Sequence, residues 1–164
     1  MNHIHKCILE GLSQSNAHHI TKVDIENNGS LTTIPIECTQ TSLKPDLTIF
    51  KPDKKELTIS ELSVPYEPNI HKTHEYKLNK YQSLTSDIEN NGFTVKYFPI
   101  EIGSRGYINK DNDAKLKTIH REFSLPGPFK RFQISLSKLS IVSSFVIFHA
   151  KSEPTWCNLP LLKQ

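Results

Sequence analysis

The chain has 164 residues, 36% of them hydrophobic and 23% charged, with a net charge of +3. That is the length of one domain with enough apolar content for a core, which excludes a disordered chain and one held together only by staples. Its three cysteines, Cys7, Cys38 and Cys157, are odd in number and far apart, which excludes a disulfide framework or a zinc pattern and points to a reducing compartment.

In chain order, Ile4, Ile8 and Leu12 recur every four residues and predict a short helix over His3 to Leu12. Met1-Asn2-His3-Ile4-His5-Lys6 is polar, without the apolar run of a secretory signal. Asn27-Asn28-Gly29-Ser30 signals a turn, after which Thr32 to Cys38 is expected as a strand. Lys44-Pro45 opens a second strand, Asp46 to Phe50, and the polar turn Pro52 to Lys55 leads to a third, Leu57 to Val64. Pro65 and Pro68 break that strand. A helix is expected from about Asn69 to Glu89, stopped by Asn90-Asn91-Gly92. Thr94 to Ile102 predicts a fourth strand, and Asp113 is placed to cap a helix with the stripe Leu116, Ile119 and Phe123. Beyond Leu125-Pro126-Gly127-Pro128 a last helix is expected over Lys130 to His149, leaving residues 151–164 as a tail to a single domain of residues 1–150. The most apolar window inside that helix, Ile141 to Phe148, is short for a bilayer span. An intracellular protein, nuclear or cytoplasmic, with no membrane partner is therefore expected.

The order is helix, three-strand meander, helix, strand and C-terminal helices. A strand–helix–strand unit demands a parallel pair joined by a right-handed crossover. The expected fold class is α/β, a mixed four-stranded sheet flanked by helices.

The third strand holds an acid, Glu61, in an apolar β-rich run, where an ionised carboxylate is expensive to bury alone. If the hairpin is symmetric about its four-residue turn, Lys51 pairs with Glu56, Thr48 with Ile59, and Asp46 with Glu61. The two acids would then share a face with Cβ atoms roughly 4.5–5.5 Å apart. Two readings follow. A hard divalent cation, Mg²⁺ or Mn²⁺, could relieve the repulsion; alternatively, Asp46 caps a turn after Pro45 and Glu61 pairs with a lysine. In the next helix Ile70, His74, Lys77, Tyr81, Leu84 and Ile88 form one core-facing stripe with Lys77 near its centre and Lys80 at its edge. Lys77 can snorkel outward or reach the carboxylates on the sheet beneath.

Charge is uneven along the chain. Residues 1–102 hold ten basic against thirteen acidic side chains, and residues 103–164 hold ten against four. A basic final third, including Lys130 and Arg131, suits a polyanionic backbone, although a solvated basic face has the same composition.

Pro45-Asp46 followed by Glu61-Leu62-Ser63 resembles the PD-(D/E)xK signature of restriction-like nucleases. Glu61-Leu62-Ser63-Val64-Pro65-Tyr66-Glu67, then His74-Glu75-Tyr76-Lys77 and Lys80-Tyr81, resembles the nuclease-like segment C-terminal to reverse transcriptases in some animal non-LTR retrotransposons. Phe98 to Gly106 continues the likeness, which covers roughly residues 44–150. The superfamily's lysine position, two residues after the second acid, is Ser63 here; the retrotransposon branch draws its lysine from the following helix, where Lys77 and Lys80 stand. The resemblance implies a restriction-endonuclease-like fold and metal-dependent hydrolysis of nucleic-acid phosphodiesters, with DNA as the partner. Asp46 and Glu61 would hold Mg²⁺ or Mn²⁺, Lys77 or Lys80 would supply the catalytic lysine, Arg105 a phosphate contact, and Glu67 a further acid. No polymerase motif accompanies the domain, so a detached or domesticated copy is expected. The rival expectation is a catalytically inactive relative that binds nucleic acid or acts as an interaction module.

Overall fold

A computed structural model describes residues 20–23, 33–122 and 125–150. The predicted helix over His3 to Leu12 and the tail lie outside them. Four strands form one mixed sheet: β1 (Ile20–Val23), β2 (Leu47–Lys51), β3 (Glu56–Ser63) and β4 (Thr94–Glu101), in the spatial order β1-β2-β3-β4. Among the described residues three α-helices accompany them: α1 (Ile70–Asn90), α2 (Lys110–Glu122) and α3 (Phe129–Ala150).

The β2–β3 hairpin turns through a 3₁₀ segment at Pro52–Lys54, with Lys55 left-handed at φ 49°. Its register is the symmetric one, Lys51 opposite Glu56, Phe50 opposite Leu57 and Thr48 opposite Ile59. β4 then runs parallel to β3, with α1 as the crossover. Parallel pairing requires such a connection, and it lays α1 across the sheet.

Strand alternation divides the core in two. Phe50, Leu57 and Ile59 face α1 and pack with Tyr81, Leu84 and Ile88. Leu47, Ile49, Leu62, Ile100 and Ile102 face the other way, onto Leu116, Ile119, Leu125 and Leu136. The sheet is thus covered on both faces, which is why β3 is buried along nearly its whole length, its polar Thr58, Ser60 and Glu61 included.

Two expectations need correction. Thr32 to Cys38 is not a strand: residues 33–38 form a bend and a turn, closed by the Cys38 amide donating to the Pro35 carbonyl at 3.0 Å. Pro35 has no amide to give to a ladder. The β2 edge is instead paired by Ile20–Val23, so only three of the four predicted strands form. The cap of α2 is also not Asp113. The helix starts three residues earlier, and the Asn109 side chain accepts from the Asn112 amide at 2.8 Å, the bond of an N-cap.

Candidate active site

The site lies where the start of β2 meets the ends of β3 and β4, beneath the first half of α1. Asp46 stands one residue beyond the last paired position of β2 (Leu47 opposite Ser60), so alternation turns it to the α1 face, opposite Glu61. Its Oδ2 accepts the Leu62 amide at 2.8 Å, which fastens the carboxylate to the backbone next to Glu61.

Glu61 is 3% exposed. A charge so placed is costly unless paired, and α1 supplies two partners: Lys77 Nζ donates to Oε2 and the Tyr81 hydroxyl donates to Oε1. Lys77 keeps 18% of its side chain exposed, so the stem is covered while the ammonium reaches inward. The stripe argument therefore selects the lysine that meets Glu61. Lys80, one turn along at the stripe's edge, is exposed; its Nζ lies 3.4 Å from the Tyr81 hydroxyl and does not reach the carboxylates. The pairing of Glu61 with a lysine is also what the metal-free reading of the sequence expected.

Glu101 was not singled out in the sequence. It pairs in register with Ser63, sits on the same face as Glu61, and is 1% exposed. Both its oxygens lie within 3.2 Å of His74 Nδ1, and its backbone is bonded to the Asn112 side chain. The signal that marked Glu61, an acid in an apolar strand, is equally present at Glu101.

The tyrosines register this concentration of charge. Burial first, then the Glu61 carboxylate, raises Tyr81 well above the ordinary phenol range. Burial followed by the charges of Glu61, Glu101 and Asp46 does the same for Tyr97. Both phenols stay protonated at any working pH, so Tyr81 is a permanent donor to Glu61.

Arg105 and Glu67 hold each other. The Glu67 carboxylate accepts the Arg105 amide at 2.7 Å and its Nε at 2.9 Å, and the guanidinium also lies over Tyr66, 5.5 Å from the ring centre. Glu67 therefore braces the turn after β4. Burial pushes its pKa up, but the bonds from Arg105 outweigh that and hold it below the usual carboxylate value. A depressed folded pKa gives stability that is present above the unfolded value and lost as pH falls through the folded one. The parent's thermal midpoint should consequently drop more steeply than that of Glu67→Gln as pH is lowered from about 5 to about 3. Parallel curves would show that the pair carries no linked stability.

Lys130 and Arg131 lie exposed at the start of α3, with Lys130 Nζ on Gln133 at 2.9 Å; neither adjoins the carboxylates. His71 and His74 take different partners, His71 pairing with Glu75 along the helix while His74 turns to Glu101. Among the described residues no group of three or more His, Cys, Asp or Glu is arranged to hold a metal. Asp46 and Glu61 are two hard oxygen donors side by side, of the type Mg²⁺ takes, but both Glu61 oxygens are held by Lys77 and Tyr81 and Asp46 Oδ2 by the Leu62 amide.

α3 differs from the other helices. Its 21 residues Phe129–His149, with a mean hydropathy of 1.3 in the most apolar window, meet the length and composition of a bilayer span, a test that core helices also pass. The shorter window weighed in the sequence understated this apolar run. Compared with known proteins, the chain matches no family model and no curated protein.

Proposed function

We propose that this domain is a metal-dependent nuclease of the restriction-endonuclease-like kind, related to the retrotransposon branch, that hydrolyses DNA phosphodiesters. The observation that carries the reading is the meeting of Lys77 with Glu61 beside Asp46, three residues from three elements brought to one face of the sheet. A mixed sheet between helices, with a crossover helix leading to a parallel strand, is a coarse architecture that supports this reading, and Lys77 offers the charge that Ser63 lacks.

Asp46 and Glu61 would hold Mg²⁺ or Mn²⁺, which when bound polarises the phosphate and makes water a better nucleophile. Lys77 places a cation where negative charge develops on the phosphate oxygens, in surroundings poor in water, where such a charge acts strongly. Tyr81 fixes the rotamer of Glu61. The basic final third, with Lys130 and Arg131, holds flanking phosphates; these contacts position the duplex and read no sequence. Arg105 joins them through its exposed terminal nitrogens, since Glu67 takes its amide and Nε.

A second reading has its own support. Both oxygens of Glu61 are engaged by Lys77 and Tyr81, so an incoming cation must compete with an ammonium already in place. An inactive, DNA-binding descendant would keep this internal ion pair in place of the metal.

Incubation of the protein with supercoiled plasmid in Mg²⁺ or Mn²⁺, beside Asp46→Ala, separates the two. Active enzyme nicks the plasmid and Asp46→Ala does not. In both readings DNA binding falls steeply as salt rises, because released counterions drive it. Binding without nicking would leave the inactive relative, and no binding even at low salt would leave only an interaction module.

A further inference from the structure

Beside the Asp46–Glu61–Lys77 group lies a cavity of about 100 Å³ whose lining includes Ile70, His71, His74, Glu101, Asn112 and Lys115. One wall is a histidine held by a buried carboxylate, His74 on Glu101. Neither residue is needed to explain the carboxylate pair or its lysine. His74 stands three positions before Lys77 on the same helix face, so their Cβ atoms are about 5–6 Å apart. Their sheet partners are close as well: Glu101 pairs with Ser63, two residues beyond Glu61 on β3, which by strand spacing separates the two acids by roughly 8 Å between Cα atoms.

We propose that His74, oriented by Glu101, is the general acid that protonates the leaving oxygen in phosphodiester cleavage at this site; the inference rests on the nuclease reading. Glu101 is a positioning residue. With Nδ1 fixed on the Glu101 carboxylate, Nε2 is the nitrogen that meets substrate, the arrangement by which a buried carboxylate sets the orientation of a catalytic imidazole. His74 keeps 29% of its side chain exposed while Glu101 keeps 2%, so the imidazole is at the surface of the cavity and the carboxylate is sealed behind it.

The oxygen of water bonds to phosphorus as the bond from phosphorus to the leaving oxygen breaks. The leaving oxygen takes the Nε2 proton of His74 and departs as an alcohol. The attacking water gives its surplus proton to solvent, and His74 recovers one from solvent. No electrons change hands. Lys77 faces the phosphate oxygens and His74 the departing group, so the two helix residues serve different bonds of one phosphorus.

A purely structural ion pair would have the same geometry, and the leaving group distinguishes them. The parent, His74→Ala, His74→Gln and Glu101→Gln are given two DNA substrates in Mn²⁺: ordinary phosphodiester, and one with sulfur in place of the leaving oxygen that the parent's products identify. A thiolate leaves without needing a proton. His74→Ala and His74→Gln should cut the ordinary substrate about 10²- to 10³-fold more slowly than the parent, yet cut the sulfur substrate at nearly the parent rate. Glu101→Gln should show the same selectivity with a smaller loss. Equal slowing on both substrates, or none on either, overturns the proton-donor role while leaving the nuclease intact. A parent that cuts neither substrate removes the nuclease reading, and this inference with it.

Discussion

Lys77→Ala should reduce Mg²⁺-dependent cleavage of DNA by about 10²- to 10³-fold, the loss seen when one preorganised donor to a developing oxyanion is removed. The loss should fall on kcat, since the interaction is gained in the transition state, and binding of DNA should change little. Stability should fall as well. Glu61 is buried and keeps Tyr81 as a donor but loses its counter-charge, so the deficit should be about 1–3 kcal/mol, less than the complete orphaning of a buried charge. Mn²⁺ should restore part of that deficit in the variant, because a cation then occupies the place the ammonium has vacated. Lys80→Ala is the control, its ammonium being turned to solvent and the Tyr81 ring. If Lys77→Ala cleaves like the parent, the helix-borne lysine has no catalytic part; if only Lys80→Ala loses cleavage, the stripe argument has chosen the wrong residue.

Gly106→Ala should be among the most destabilising single-methyl additions in the chain. Gly106 has φ +82°, and a Cβ there would lie 2.9 Å from the Ser137 carbonyl oxygen and 3.1 Å from Ile141 Cδ1. The left-handed backbone alone costs an alanine about 1–2 kcal/mol. A clash with helix backbone, which cannot rotate away, raises the total to about 2–4 kcal/mol. Gly92 isolates the second contribution, having the same φ of +82° with nothing within 4 Å of a Cβ. Urea denaturation of both variants should show Gly106→Ala losing clearly more. Equal losses would mean that α3 does not press on this turn. The contact has a companion, Ser140 Oγ donating to the Gly103 carbonyl at 2.6 Å, so the helix is seated on the turn at two points one helical turn apart.

Those features differ in how visible they were in the sequence. The β2–β3 register was legible because a four-residue turn between two alternating strands leaves one symmetric pairing, and Asp46 and Glu61 followed from it. The α1 stripe was legible because Ile70, Tyr81, Leu84 and Ile88 mark a face whose centre is a lysine. The first strand was not. Ile34 and Cys38 are buried as plugs against Tyr81, Leu84 and Ile88 from a turning loop, and two buried residues four apart in a β-rich segment imitate a strand. Ile20–Val23 is only four residues long with two polar members, too short for alternation to stand out. The pairing of Glu101 with His74 was not legible for a topological reason: it joins a strand to the crossover helix that precedes it, 27 positions apart, and although the stripe marks His74 and an apolar strand marks Glu101, nothing local couples the two. Glu67 and Arg105, 38 positions apart, are alike in this.

The residence of Lys77 on the crossover has a consequence for how this chain can change length. A lysine two residues after Glu61 would be aimed by the pleat of a single strand, whatever happened elsewhere. Lys77 is 16 positions from its partner, and each residue added to a helix turns everything beyond it by about 100°. A one-residue insertion between Ile70 and Lys77 would swing the ammonium off the carboxylate and rotate Tyr81 with it. The same insertion in the exposed turn at Pro52–Lys54, outside α1, leaves that angle untouched. The first two turns of α1 thus behave as a ruler with no tolerance for added length, while drift in length should collect in the loops around it.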